Sequence, residues 1–136
     1  MKSIELSVGN IVSIGGVPQR IRSVTRRKVG YCKLTNPNLS YARLHEVEPI
    51  PITEEILAKN GFSVHHEQYA DRLVYKIENG YCHRLINYIS RSNESVWSYE
   101  IVDHEIKATK VAAEIQYIHQ MQNMLNVVNL MMEVKV

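Results

Sequence analysis

IVSIGGVPQRIRSVTRRKVGYCKL, residues 11–34, is the stretch that decides the fold of the first third of the chain. Ile11, Val12 and Ile14 run up to Gly15-Gly16. A Gly-Gly pair supplies the positive φ angles that a two-residue hairpin needs. Val17, Ile21 and Val24 lead away from it, and Val29 to Leu34 reads as a further strand. Pro18 has no N–H to give a ladder, so it belongs at an edge or at a non-bonded position.

Working outward, Gly9-Asn10 forms an earlier turn. On the other side, Asn36-Pro37-Asn38 turns the chain and Leu39 to Leu44 returns. Four or five short strands with tight turns in about 50 residues predict a small SH3-like β-barrel. Residues 1–52 are therefore expected to form a barrel lobe and 53–136 an α+β lobe, the two sharing one core. Such barrels are scaffolds that carry many functions.

The rest of the chain reads as α+β. Pro49-Ile50-Pro51 is an extended linker. Thr53 is an N-cap, Glu54 and Glu55 suit the positive end of the helix that follows, and Gly61 ends it. Asn79-Gly80 predicts a hairpin that pairs Ile77 with Cys82, Tyr75 with Arg84 and Leu73 with Ile86. That face, the more apolar, is expected to point inward. Val96 to Val102 is another strand, with Trp97 and Tyr99 on one side. Residues 110–129, KVAAEIQYIHQMQNMLNVVN, read as a C-terminal helix with Val111, Ile115, Ile118, Leu125 and Val128 on one stripe. Residues 130–136 then alternate like a strand.

Composition excludes several classes. The chain has 136 residues, ordinary apolar content and no long apolar run, which predicts an ordered protein without a bilayer span. The start, MKSIELSVGN, lacks the apolar block of a secretory signal, so a cytoplasmic location is expected. Cys32 and Cys82 lack the CxxC spacing of a metal or redox pair, and read as small buried hydrophobes. The six histidines show no HxxxH or HExxH spacing, so no metal site is expected. No nucleophile elbow, P-loop or dinucleotide fingerprint occurs; no enzyme, no catalytic residue and no cofactor are expected.

Charge is the informative feature. The net charge is +2, yet residues 1–44 hold eight Lys or Arg against one acid, Glu5. An asymmetry of this kind points to an anionic partner for the first part of the chain. Besides Arg43, the cluster holds Arg20, Arg22, Arg26, Arg27, Lys28 and Lys33, expected to bind ligand with Tyr31 and Tyr41 as stacking surfaces. Cations interleaved with aromatics suit a phosphate-bearing ligand, a nucleotide or a nucleic acid. A second feature is the amide-rich and Met-rich face of the last helix. Tyr117, His119, Met121, Gln122 and Asn123 are expected to form a buried polar network or a homo-oligomer interface.

Three stretches together resemble a family of short, uncharacterised proteins encoded by phages and mobile elements of gut bacteria. LSVGNIV (residues 6–12) is similar to that family's Leu-x-x-Gly-Asn-x-Val opening. PIPITEE (49–55) is similar to its Pro-Ile-Pro-Leu-Thr-Glu-Glu linker, and YIHQMQN (117–123) to its Tyr-Val-His-Gln-Leu-Gln-Asn helix. The chain departs from the pattern at Met124, Leu125 and Asn126, where that family commonly carries aromatics. The resemblance implies a phage or prophage accessory protein and carries no catalytic residues. In that setting the ligand would be a sequestered host defence signal, or the chain would engage a virion or host protein.

Overall fold

The computed structural model describes residues 5–67, 70–78, 80–127 and 133–136, and of 64–75, 77 and 78 the backbone alone. The chain is α+β, with two five-stranded antiparallel sheets and two α-helices among the described residues. It divides into two compact units: Met1–Pro51 with Tyr117–Val127, and Ile52–Gln116 with Val128–Val136.

The first unit holds β1 (Ile11–Ile14), β2 (Val17–Val24), β3 (Lys28–Lys33), β4 (Asn36–Arg43) and β5 (Val47–Glu48). Gly15 and Gly16 take φ of +62° and +79°, so the predicted hairpin forms where the glycines allow it. β1 to β4 make a meander. One 3₁₀ turn at Leu44–Glu46 then sends β5 back to β1, giving the order β4-β3-β2-β1-β5. Among the described residues no ladder joins β4 to β5. Val12, Ile21, Val29, Ala42 and Val47 fill the core on one sheet face together with Leu6.

Two expectations for this unit are corrected. The turn falls at Leu34–Thr35, ahead of Asn36-Pro37-Asn38, because Lys33 pairs with Asn36. The Asn36 side chain accepts from the Asn38 N–H at 3.0 Å, so the predicted turn residues open β4 instead. The last helix, α2 (Ile118–Val127), belongs to this first unit and not to a 53–136 lobe. Its amide side chains hold the backbone of residues 5–11, as described below.

The second unit holds α1 (Glu54–Lys59), β6 (Ser63–Glu67), β7 (Ala70–Glu78), β8 (Tyr81–Ile89), β9 (Ser95–Asp103) and β10 (Thr109–Ile115). The order is β10-β9-β8-β7-β6, each strand beside its neighbour in sequence. Thr53 caps α1 by accepting from the Ile56 N–H at 3.2 Å, and Gly61 follows at φ +84°, both as predicted. The β7–β8 register is also as read: Ile77 with Cys82, Tyr75 with Arg84, Leu73 with Ile86.

The inward face is the opposite one. His83 and Leu85 are buried, while Cys82, Arg84 and Ile86 are half-exposed. β9 decides this. His83 faces Ile101, Leu85 faces Tyr99, and Asn87 faces Trp97, so the bulk of β9 lies on the His83 side. The Trp97 Nε1–H donates to the Ile52 carbonyl at 3.2 Å, and the Tyr99 hydroxyl lies 2.7 Å from His83 Nδ1. Burial pushes the Tyr99 hydroxyl well above its usual range.

Residues 109–115 are likewise strand and not helix. β10 pairs along β9, with Ala113 opposite Tyr99 and Ile115 opposite Trp97. Val111 and Ile115 therefore leave the predicted helical stripe, and Val128 lies outside the described residues. Residues 133–136 lie in no strand, and 130–132 are outside the described residues.

Candidate anion-binding face

The sheet of the first unit has a second face, and its composition follows from strand parity. Arg20 pairs with Cys32, so both lie opposite the core side that Ile21 and Tyr31 occupy. Between Ile21 and Ser23 the register shifts by one residue. This bulge keeps Arg22 on the Cys32 side, where its Nε–H donates to Cys32 Sγ at 3.3 Å. Arg20 Nη1 donates to the Gly9 carbonyl at 3.4 Å. Both guanidinium groups are thus held by acceptors that carry no charge.

The same parity continues along β3. Lys28, Gly30 and Cys32 share the outer face, with Arg43 opposite Lys28 and Tyr41 opposite Gly30. The Lys28 ammonium sits 5.0 Å from the centre of the Tyr41 ring. Four cations, Arg20, Arg22, Lys28 and Arg43, thus share one face of three adjacent strands with an exposed aromatic ring. Lys28 and Cys32 lie four residues apart, so the charged surface extends roughly 13 Å along β3. Among the described residues no carboxylate lies within ion-pair distance of these four, whereas Arg84 in the second unit has Glu100 at 4.0 Å.

Other predicted ligand residues divide. Arg26 and Arg27 lie exposed in the β2–β3 turn, beside the start of β3. Tyr31 is half-buried and packs against the core cluster, on the face opposite Tyr41. Its parity with Val29, two residues earlier, is the signal that would have placed it. Lys33 pairs with buried Gln19 and belongs to the other face, at the exposed end of β3. Arg43 and Leu39 join the outer face, Leu39 being 49% exposed.

The polar side of α2 is a network inside the first unit. Gln122 Oε1 accepts from the Ile11 N–H at 2.8 Å, while its Nε2 donates to the Gly9 carbonyl at 3.2 Å. Asn123 Oδ1 accepts from Asn10 Nδ2 at 2.9 Å, and Asn123 Nδ2 donates to the Glu5 carbonyl at 3.2 Å. Asn10 in turn accepts from the Ser7 N–H at 2.7 Å. Two side chains one position apart thus satisfy the irregular backbone that enters β1, which explains why amides stand where Lys and Glu are usual. Met121 is 1% exposed and serves the core, so it presents no surface for assembly.

His119 is buried and stacks on Tyr117, with ring centres 5.9 Å apart and 8° between planes. Neither ring nitrogen has a hydrogen-bond partner. Burial pushes its pKa down, and the charge of Glu5 partly opposes this. Cys32 is buried beneath Arg22, and Cys82 is half-buried on the face opposite His83. Among the described residues no group of three His, Cys, Asp or Glu could hold a metal, and no helix is long and apolar enough to cross a membrane. No family model, no curated protein and no solved structure matches this chain.

Proposed function

We propose that the first unit is a non-enzymatic binding module, and that the outer face of β2, β3 and β4 takes a phosphate-bearing ligand. One observation carries this reading. Arg20, Arg22, Lys28 and Arg43 lie on one sheet face with no carboxylate within ion-pair distance among the described residues. Cations gathered without partners repel one another, so a bound anion relieves the repulsion as well as adding contacts. The bonds from Arg20 to Gly9 and from Arg22 to Cys32 orient the guanidinium groups before any ligand arrives. The strand order, with its 3₁₀ turn before β5, supports reading this unit as a small SH3-like barrel.

The test is salt dependence. For a single-stranded polyanion the slope of log affinity against log salt is about −0.7 per phosphate neutralised. Four cations give about −2.8, or roughly a 50-fold loss between about 50 and about 200 mM salt. Arg20→Ala with Arg22→Ala should halve the slope to about −1.4. An affinity that does not move with salt would remove the reading.

A further inference from the structure

We infer that the ligand of this face is an unpaired nucleic-acid strand, one base of which stacks on Tyr41. The inference rests on the phosphate-binding reading above and names its ligand.

Tyr41 is 59% exposed at the middle of the cationic surface. Its position over β3 depends on Gly30. A Cβ built there would run into Ser23 Oγ and lie 3.3 Å from Tyr41 Cε1, a tight approach, with Leu39 Cδ1 in ordinary contact at 3.6 Å, so the missing side chain gives the Tyr41 ring room over the neighbouring strand. Lys28 holds the ring from one side. Leu39, two positions earlier on the same strand face, extends the apolar surface.

A face built for phosphates alone has no use for an exposed ring flanked by an exposed leucine. Bases supply the missing complement, because each has an apolar π surface that stacks on an aromatic side chain whatever its identity. In a duplex those surfaces are covered by neighbouring base pairs. A strand with free bases satisfies both halves of the site at once: phosphates against Arg20, Arg22, Lys28 and Arg43, and a base against Tyr41 and Leu39. The extent of the charged surface along β3 suits successive phosphates better than a single one.

The experiment is a fluorescence anisotropy titration at fixed low salt. The probes are a labelled oligonucleotide of about 12 residues, within the usual site size of small β-barrel binders, its duplex, the corresponding mononucleotide and inorganic polyphosphate. The proteins are wild type, Tyr41→Ala, Tyr41→Leu, Tyr41→Phe and the double variant Arg20→Ala/Arg22→Ala. Tyr41→Ala and Tyr41→Leu should each weaken the single strand about tenfold, within the span measured for loss of one stacked base. Tyr41→Phe should bind like wild type, and none of the three should change polyphosphate binding. If Tyr41→Ala and Tyr41→Leu leave the single strand unchanged while the double variant weakens it, the stacking inference fails and the phosphate reading stands. Equal binding of duplex and single strand, or of mononucleotide and oligonucleotide, also overturns it. If wild type binds none of the four probes, the phosphate reading itself has failed.

Discussion

Replacing His119 by Leu should stabilise the protein, an unusual result for a histidine that is 1% exposed. Both ring nitrogens are buried without a hydrogen-bond partner. A buried polar group left unsatisfied costs about 1–3 kcal/mol, whereas an apolar side chain of similar shape carries no such penalty. Leucine is smaller and gives up the stack on Tyr117, so a net gain of about 0–2 kcal/mol is expected near neutral pH. The pH dependence gives a sharper readout. Burial lowers the pKa in the folded state below the ordinary histidine value of about 6.5 that the unfolded chain keeps. The unfolded state therefore binds the proton first, and stability falls as pH drops through about 6.5 and on toward the folded value. Between about pH 7.5 and pH 5.5 the loss from this one group reaches at most about 1.4 kcal/mol, a limit set by the unfolded side alone. The Glu5 charge, which favours the imidazolium, keeps the loss below that limit. Urea melts followed by circular dichroism at both pH values, for wild type and His119→Leu, separate this contribution from other titrating groups. The reasoning is refuted if His119→Leu destabilises by more than about 1 kcal/mol at neutral pH and retains the full wild-type pH slope, since the imidazole would then be hydrogen-bonded.

Three further outcomes test the packing that supports the binding face. Gln122→Leu removes the acceptor of the Ile11 N–H and the donor to Gly9; it should cost about 1–3 kcal/mol in denaturant melts, with Gln122→Glu costing less because an acceptor remains. Gly30→Ala puts a methyl group against Ser23 Oγ and Tyr41, an overpacking worth about 1–3 kcal/mol. Ser23→Ala in the same chain should recover part of that loss, and a strictly additive pair would show that the clash is elsewhere. Thr53→Ala loses the cap on the Ile56 N–H and should cost about 1 kcal/mol of stability in the second unit.

What was legible in the sequence was what neighbouring residues determine. Gly15-Gly16 sets its hairpin because a turn's backbone angles depend on its own residues, and the register of β7 on β8 is the one a two-residue turn ending at Gly80 requires. The same holds for the Thr53 cap and Gly61. What was not legible depends on contacts distant in sequence. Cys82 and Ile86 on one face of β8, and His83 and Leu85 on the other, are comparable in apolar content; the choice lies with Trp97, Tyr99 and Ile101 on β9. Ala112, Ala113 and Glu114 favour helix locally, yet pairing with β9 makes them strand, and Val111 with Ile115 fits either periodicity. In the candidate site, the sharing of a face by Arg20 and Arg22 was legible from alternation. The bulge that places Ser23 beside Gly30, and the placing of Tyr41, Leu39 and Arg43 across β3, required the ladder. Tyr31 shares the parity of Val29 and so packs against the core on the face opposite Tyr41.

The most direct measurement is a map of backbone amide shifts as the oligonucleotide of about 12 residues is titrated into labelled protein. A binding face on the first sheet predicts the largest changes at Arg20, Arg22, Lys28, Gly30, Tyr41 and Arg43, with β6 to β10 unmoved. Saturable changes confined to the second unit, leaving those six amides in place, would contradict it.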